Sequence, residues 1–372
     1  MTPWSGVRNL LCVRLDSLGD VLMTTPAMRA LRDTLGCRVT LLTSPASSAL
    51  AGLLPEVDDL MVFSAPWMKP ATRLSDRAVL KEVRRRRFDA AVVFTVYSQS
   101  PLPAAYFCYL AGIPRRLAHC RENPYHLLTD WVPDPEPGLA RHEVRRQLDL
   151  AAAVGCRASD ERLSFRVPPG ARRVIAAMDL KRPLVVVHPG ASAASRRYPP
   201  EGYARAIELL SREMGCEAVF TGESGEAGLI EGIRARMPVR SHSLAGRLGL
   251  AELGALIAEA DVLVCNNTGP AHMAAAIGTP VVDLYALTNP QHTPWQVAHR
   301  VLFHDVPCRF CYRSVCPQGH HACLRNVDPA AVAAAGSMLL ARRGAGLERH
   351  ALTRTVNEML DTPDWAPARA VA

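Results

Sequence analysis

Residues 13–20 read Val-Arg-Leu-Asp-Ser-Leu-Gly-Asp, and residues 265–272 read Cys-Asn-Asn-Thr-Gly-Pro-Ala-His. In each stretch an apolar run breaks into small and polar residues and then into a helix start. A strand that leads through such a turn into a helix leaves backbone N–H groups pointing at one spot, which suits a phosphate or a carboxylate. Two such spots, about 250 residues apart, predict two domains.

The composition is that of a globular protein with room for two domains. The chain has 372 residues, of which 49% are hydrophobic and 21% are charged, enough for two cores of ordinary size. The formal net charge of +8 favours anionic partners, whether nucleic acid, anionic lipid or phosphorylated sugar. Because no aromatic platform or recognition helix accompanies the scattered basic residues, we expect no nucleic-acid partner.

The N-terminal sequence predicts no secretory signal. Arg8 and Arg14 bracket an apolar stretch that is too short for the hydrophobic region of a signal peptide, so we expect a cytoplasmic protein. Residues 90–114 carry no charge, but serine, glutamine and proline interrupt them, which favours a buried strand and helix over a membrane span. Eleven cysteines without a signal indicate free thiols rather than a disulfide framework.

Short β-branched runs alternate with helical stretches, the pattern of an α/β protein with parallel sheets and helices on both faces. The alternation pauses at Val-Pro-Pro-Gly, residues 167–170. We predict an N-terminal domain over residues 1–170, a C-terminal domain over 171–345 and a final segment over 346–372. The predicted strands are residues 9–14, 38–43, 60–63, 90–94, 184–188, 218–221, 241–244, 262–265 and 280–285. The predicted helices include residues 19–35, 203–214, 250–260, 329–342 and 347–360.

Asp20 is a candidate catalytic carboxylate. It follows the turn at Gly19 and begins a predicted helix, where the helix dipole stabilises negative charge, so a plain capping role explains it equally well. Asp16 and Ser17 crowd the same turn, and in open α/β sheets ligands bind at such strand-to-helix turns. A carboxylate in that position can act as a general base.

Two loops of the second half suit a diphosphate or a nucleoside. In residues 188–192, His-Pro-Gly-Ala-Ser, small side chains let the backbone approach a diphosphate that Arg196 can neutralise. An ordinary polar loop is the alternative. Glu223 follows the next strand and offers a carboxylate to a ribose or a base edge, a weak signal by itself.

The motif at residues 267–272 is a stronger candidate for anion binding. Thr268 and Gly269 supply donors, and the proline that follows suits a first helical turn. His272 is either a ligand or a packed core histidine. No G-x-G-x-x-G follows the first strand and no P-loop sequence occurs, which disfavours a nicotinamide enzyme or a P-loop NTPase.

Four cysteines in the last part of the chain have the spacing C-x2-C-x4-C-x6-C, with two histidines inside the last gap. Four soft ligands within 16 residues can fold one loop around a structural zinc or iron. Free thiols, or one disulfide formed on isolation, are the alternatives. The residues concerned are Cys308, Cys311, Cys316, Cys323, His320 and His321.

In combination, these motifs resemble those of glycosyltransferase family 9, the lipopolysaccharide heptosyltransferases, and are nearest to the heptosyltransferase II-like branch. The resemblance extends from about residue 9 to residue 327. It rests on Arg-Leu-Asp-Ser-Leu-Gly-Asp-Val at 14–21 with Thr-Pro-Ala at 25–27, Gly-Ile-Pro-Arg-Arg at 112–116, Arg-His-Glu-Val at 141–144, His-Pro-Gly-Ala at 188–191, Asn-Asn-Thr-Gly-Pro-Ala-His at 266–272 and the cysteine loop at 308–323.

The resemblance implies a GT-B fold, in which two Rossmann-like parallel-sheet domains face a cleft and the C-terminal helix crosses back towards the first domain. It implies an inverting glycosyltransferase that moves a heptose or a related sugar, commonly from ADP-heptose, without a catalytic metal or other required cofactor. The implied acceptor is a lipopolysaccharide core or another anionic envelope glycolipid. We therefore expect peripheral contact with the cytoplasmic face of the inner membrane.

The resemblance also assigns roles to individual residues. Asp20 is implied as the general base. Three departures from the family pattern affect the assignments: Asn267 stands where many relatives have aspartate, Arg196 replaces a frequent lysine, and Asp16 occupies a position often held by serine. The implied donor-binding residues are Ser192, Arg196, Glu223, Asn267, Thr268, Gly269 and His272, and the implied acceptor-binding residues are Arg14, Ser17 and Arg116.

Two other kinds of function stay open at this point. A nucleotide-sugar epimerase or hydrolase of the same fold would consume the donor without an acceptor. A non-catalytic sugar-nucleotide-binding protein, or a metal-organised interaction protein, would bind without turnover.

Overall fold

A computed structural model of the chain describes residues 4–68, 76–134 and 141–344. The chain divides into two compact units, Met1–Arg166 and Val167–Ala372. This division lies close to the boundary predicted after residue 170. The predicted helix at 347–360 and the predicted final segment at 346–372 lie outside the described residues.

The N-terminal unit is built on a six-stranded sheet in the order β3-β2-β1-β4-β5-β6, and each described pairing is parallel. The strand order reverses between β1 and β4, as it does in dinucleotide-binding folds. The strands are β1 (Asn9–Arg14), β2 (Arg38–Thr43), β3 (Asp59–Val62), β4 (Ala90–Val93), β5 (Arg115–Cys120) and β6 (Asp130–Pro133).

The C-terminal unit repeats this topology with an unrelated sequence. Its six-stranded parallel sheet has the order β12-β11-β10-β7-β8-β9, so the reversal falls between β7 and β10. The strands are β7 (Leu184–His188), β8 (Glu217–Phe220), β9 (Ser241–Ser243), β10 (Val262–Asn266), β11 (Val281–Leu284) and β12 (His299–Leu302).

Helices connect most consecutive strands in both units, the usual crossover between parallel strands, whereas the described connections from β5 to β6 and from β11 to β12 contain no helix. Helix α1 begins after Ser17 and ends before Gly36. The left-handed conformation of Gly36 (φ 61°) lets its N–H donate to the Arg32 carbonyl of the last turn. The helices are α1 (Leu18–Leu35), α2 (Asp76–Arg86), α3 (Leu102–Leu110), α4 (Glu143–Ala153), α5 (Pro169–Ala176), α6 (Pro200–Met214), α7 (Ala227–Arg234), α8 (Leu250–Glu259), α9 (Gly269–Ile277), α10 (Ala322–Arg325) and α11 (Pro329–Gly344). Among the described residues, none of these helices is both long and apolar enough to cross a membrane.

The predicted strands match the structure best where the apolar run is continuous. Strands β1, β2 and β7 have the predicted bounds, and the uncharged stretch at 90–114 forms β4 and α3 as expected. Three strands were missed, namely β5, β6 and β12. Two arginines open β5, while β6 and β12 are four-residue strands of mixed composition at the edges of their sheets, so local pattern does not identify them.

Candidate active site

Arg14, at the end of β1, lies at the centre of a buried cluster of charges in the N-terminal unit. Its side chain is fully shielded from solvent. The Nε atom lies 3.1 Å from Asp16 Oδ2, and an Nη atom lies 2.9 Å from Glu143 Oε1 and 3.5 Å from Asp20 Oδ1. Burial lowers the pKa of Arg14, but the three carboxylates more than offset this, so the net shift is upward and the guanidinium stays charged.

Asp20, the third residue of α1, is both a helix cap and a reachable carboxylate. Its Oδ2 atom accepts hydrogen bonds from the Ser17 backbone N–H at 3.0 Å and from the Ser17 hydroxyl at 2.6 Å. Its Oδ1 atom faces Arg14, and the side chain is 13% exposed. Asp20 therefore does cap the helix, and its role as a catalytic base stays a prediction.

Asp16 is the second carboxyl group of the turn, and its side chain is 6% exposed. Its Oδ1 atom accepts a hydrogen bond from Gln99 Nε2 at 2.6 Å. Burial raises the pKa of Asp16 to about 6, against the charge of Arg14, and the nearby Asp20 carboxylate contributes to the rise. Asp16 therefore changes charge near neutral pH directly beside Asp20.

This pKa predicts how stability changes with pH. A carboxyl group whose pKa is higher in the folded state than in the unfolded state favours folding at low pH, and the protein loses that stability as the pH rises. Asp16→Asn mimics the neutral form, so the wild type should lose up to about 3 kcal/mol relative to this variant between about pH 4 and pH 7. Urea denaturation of both proteins across that range measures the difference, and parallel pH curves would contradict the expectation.

A cavity of about 250 Å³ lies at the carboxyl ends of β1 and β4. Most of its wall is apolar, including Leu15, Trp67 and Phe94, while Asp16 and Gln99 supply polar atoms. The cavity sits where the strand order reverses, the usual ligand position in open α/β sheets. It is therefore a candidate for holding part of a substrate next to Asp16.

Two of the three predicted acceptor residues, Arg14 and Arg116, make structural contacts within the protein. Arg116 is 7% exposed, and its guanidinium donates to the backbone carbonyls of Leu127 and His126 at 2.7 and 2.9 Å. Arg14 is occupied by carboxylates. Ser17 is exposed, and the acceptor role of all three residues stays a prediction.

Glu143 is a member of the cluster that sequence analysis did not single out. It is the first residue of α4, is fully buried, and accepts a hydrogen bond from Gln147 Nε2 at 2.7 Å in addition to its contact with Arg14. Its place in the Arg-His-Glu-Val motif at 141–144 was the only signal. The contact with Arg14 joins residues 129 positions apart.

In the C-terminal unit, the predicted donor-binding residues lie on the turns after β7, β8 and β10 and in the first turn of α9. These three strands are adjacent in the sheet. Because the strands are parallel, these turns meet at one edge of the sheet. The N-terminus of α9, which follows Thr268, directs backbone N–H groups at the same edge. Ser192 and Glu223 are exposed, Arg196, Thr268 and Gly269 are partly exposed, and Asn267 and His272 are buried.

Asn266 holds the loop after β7 in place, a role that the sequence did not reveal. It is fully buried; its Nδ2 atom donates to the Pro189 carbonyl at 2.7 Å, and its Oδ1 atom accepts from the Tyr198 backbone N–H at 3.0 Å. Gly190 in the same loop packs directly on Glu226, because a Cβ there would lie 2.0 Å from the Glu226 Oε1 atom. The small residue thus serves packing within the protein at this position.

The cysteine loop is attached to the same region. Ser195, next to Arg196, donates from its backbone N–H to the Ser314 carbonyl at 3.2 Å and from its hydroxyl to the Arg313 carbonyl at 3.0 Å. The Tyr312 backbone N–H donates to the Thr288 carbonyl at 2.7 Å. The loop therefore supports the segment that carries Arg196.

The four loop cysteines are free, partly exposed thiols that line one small cavity of about 20 Å³ with His320 and His321. Within the described part of the chain, no group of three or more such side chains is arranged to hold a metal ion. The predicted zinc or iron site therefore stays a prediction. Elemental analysis of protein purified without chelators tests it: one metal ion per chain would support the site, and metal-free protein would contradict it.

A comparison with family sequence models identifies the protein's family. The model described as glycosyltransferase family 9 (heptosyltransferase) matches residues 77–322, well over half of the chain. The chain belongs to glycosyltransferase family 9. This glycosyltransferase is 26% identical over 345 residues to lipopolysaccharide heptosyltransferase 2 of Salmonella typhimurium, which covers 88% of this chain and 97% of that protein.

Solved structures agree on the fold of this glycosyltransferase. The family 9 glycosyl transferase from Veillonella parvula DSM 2008 has a TM-score of 0.74 at 20% identity, covering 91% of this chain and 98% of that one. The E. coli ADP-heptose lps heptosyltransferase II has a TM-score of 0.72 at 23% identity, covering 90% and 99%. The predicted GT-B fold class, with two Rossmann-like parallel-sheet domains, is confirmed.

Proposed function

We propose that this glycosyltransferase transfers a heptose, or a related sugar, with inversion from ADP-heptose to a lipopolysaccharide core or another envelope glycan. The relatives support the choice of substrates, since lipopolysaccharide heptosyltransferase 2 aligns over 97% of its length and the E. coli structure is named for ADP-heptose. The observation that carries the proposal is the partly exposed Asp20 carboxylate, held between Ser17 and Arg14 at the carboxyl end of β1.

In the proposed reaction Asp20 is the general base. It removes the proton from an acceptor hydroxyl while that oxygen attacks the anomeric carbon of the donor, on the face opposite the leaving diphosphate. The new C–O bond forms as the bond to the diphosphate breaks, so the configuration inverts. The contacts with Ser17 and Arg14 fix the orientation of the carboxylate, and the helix dipole stabilises its negative charge.

The C-terminal unit would supply the donor site. Negative charge develops on the diphosphate as it leaves, and the Arg196 guanidinium with the N–H groups at the start of α9 can stabilise that charge. Thr268 and Gly269 lie at this helix start, while Ser192 and Glu223 line the same sheet edge. This assignment requires no metal ion for the leaving group.

The acceptor site would use the N-terminal unit, with Ser17 and the cavity beside Asp16 as candidates for sugar contacts. We further propose that the enzyme works at the cytoplasmic face of the inner membrane, where a lipid-linked acceptor would be presented. The excess of basic residues, which gives a net charge of +8, is suited to anionic lipid.

Nucleotide binding tests the donor assignment. Calorimetric titration of the purified protein with ADP, GDP, UDP and CDP at matched salt should show a clear preference for ADP. Preference for another nucleotide would overturn the proposed donor, and binding of none would favour the interaction-protein alternative. Donor turnover should require the acceptor, because turnover without acceptor would favour an epimerase or a hydrolase.

A further inference from the structure

Strand β11 carries a carboxyl group in the interior of the C-terminal unit. Asp283 is fully buried, and the other three residues of the strand, two valines and a leucine, are buried with it. Burying a carboxyl group is costly unless it is hydrogen-bonded or neutral. Burial accordingly raises the pKa of Asp283 well above its usual value. The charge of Arg196 and the hydrogen bond from Asn267 lower the pKa, but by less than burial raises it. No role assigned so far uses this group.

The contacts of Asp283 connect it to the candidate donor site. Its Oδ2 atom accepts a hydrogen bond from Asn267 Nδ2 at 3.4 Å, and its Oδ1 atom is sealed from solvent without a hydrogen-bond partner in the described part of the chain. Arg196 is close enough to act on its charge. Both neighbours, Asn267 and Arg196, were predicted from the sequence to bind the donor.

These contacts fix the orientation of the Asn267 side chain. Its Nδ2 atom also donates to the His292 backbone carbonyl at 2.8 Å. Because a carbonyl oxygen can only accept, the amide NH2 must face it, and both of its protons are then used by His292 and Asp283. The Oδ1 atom of Asn267 is left on the opposite side and makes no hydrogen bond in the described structure. It is not one of the polar atoms that are fully buried without a partner. Position 267 therefore offers a hydrogen-bond acceptor.

We propose that Asp283 is a positioning residue, which holds the Asn267 carboxamide so that Oδ1 accepts a hydrogen bond from a sugar hydroxyl of the nucleotide-sugar donor. The inference rests on the proposed function. An aspartate at 267 would offer the sugar a charged carboxylate as hydrogen-bond acceptor. Here the acceptor is a neutral amide, and the carboxyl group lies behind it on the next strand.

The test is a mutant cycle read out by donor binding. Asp283→Ala should raise the Kd and KM for ADP-heptose about tenfold, the effect of roughly one hydrogen bond, with a smaller change in kcat. The Kd for ADP, which lacks the sugar, should not change. Asp283→Asn keeps an acceptor for the Asn267 amide and should recover most of the affinity. Val281→Ala, on the same strand and the same face, is the packing control and should leave both affinities unchanged.

Exchanging the two residues gives a sharper readout. Asn267→Asp places two carboxyl groups side by side and should weaken donor binding, whereas Asn267→Asp combined with Asp283→Asn restores one amide and one carboxylate and should recover affinity.

Additive effects of the two substitutions, or wild-type donor affinity in Asp283→Ala, would overturn the inference. If the wild type itself bound ADP but neither bound nor used ADP-heptose, the proposed function would fail first. Melting temperatures check that each variant is folded.

Discussion

Asp20→Asn is expected to lower kcat by about 10²- to 10⁴-fold, the usual contribution of a general base. The amide oxygen can still accept the hydrogen bonds from Ser17, so the start of α1 should be preserved. It cannot take up a proton from the acceptor hydroxyl. Steady-state turnover with donor and acceptor measures the loss, and calorimetry should show that ADP affinity changes little, because the substitution lies outside the proposed donor site.

The matched control for this variant is Ser17→Ala. It removes the hydroxyl that donates to Asp20 at 2.6 Å but leaves the carboxylate and the backbone N–H contact in place. Its effect on kcat at saturating acceptor should therefore be much smaller, whereas a lost acceptor contact would raise the KM for the acceptor. Near-normal turnover in Asp20→Asn would exclude Asp20 as the base. Equal losses in both variants would instead indicate that this turn acts through its structure.

Arg14→Met is expected to destabilise the protein by about 3–5 kcal/mol, the usual cost of removing one partner from a buried ion pair. The substitution removes the guanidinium that lies between Asp16, Asp20 and Glu143. Glu143 is fully buried and keeps a longer contact, 3.9 Å, with Arg146. The loss should be smaller at low pH, because protonation removes the repulsion between the carboxylates. Urea denaturation of the full chain at pH 7 and pH 5 measures both effects.

Two further variants show whether burial is the cause. Arg85→Met removes an arginine that is 69% exposed and paired with Glu82, and it should cost under about 1 kcal/mol. Adding Glu143→Gln to Arg14→Met removes one of the three negative charges left by the loss of Arg14 and should restore part of the stability. If Arg14→Met cost no more than Arg85→Met, the buried cluster would not contribute as described.

The strands that could be predicted are those in which local sequence and final environment agree. Strand β7 is an uninterrupted apolar run, and both of its ends were predicted correctly. Strand β5 opens with Arg115 and Arg116, yet it is an interior strand because β4 and β6 pair with it on either side. Its buried arginine is satisfied by backbone carbonyls that only the folded chain brings together.

The candidate site likewise contains residues that local sequence identifies and residues that only the folded structure identifies. Asp20 and residues 267–272 were found because a strand, a turn and a helix start are adjacent in the sequence. Glu143 and Asp283 were not found, because a buried carboxyl group differs from an exposed one only in its distant neighbours. Arg14 was singled out from the sequence, but its three carboxylate partners were not, since the sequence does not tell which charges an arginine meets in the folded chain.

The sequence by itself therefore determined the alternation of strands and helices, the two-domain organisation, the family and the position of the candidate base. These depend on patterns a few residues long, in which periodicity and turn chemistry are local. Only the tertiary structure decided which charges are buried together. Arg14 meets Glu143 across 129 positions because α4 packs against α1. Asn267 meets Asp283 because parallel pairing places the end of β10 beside β11.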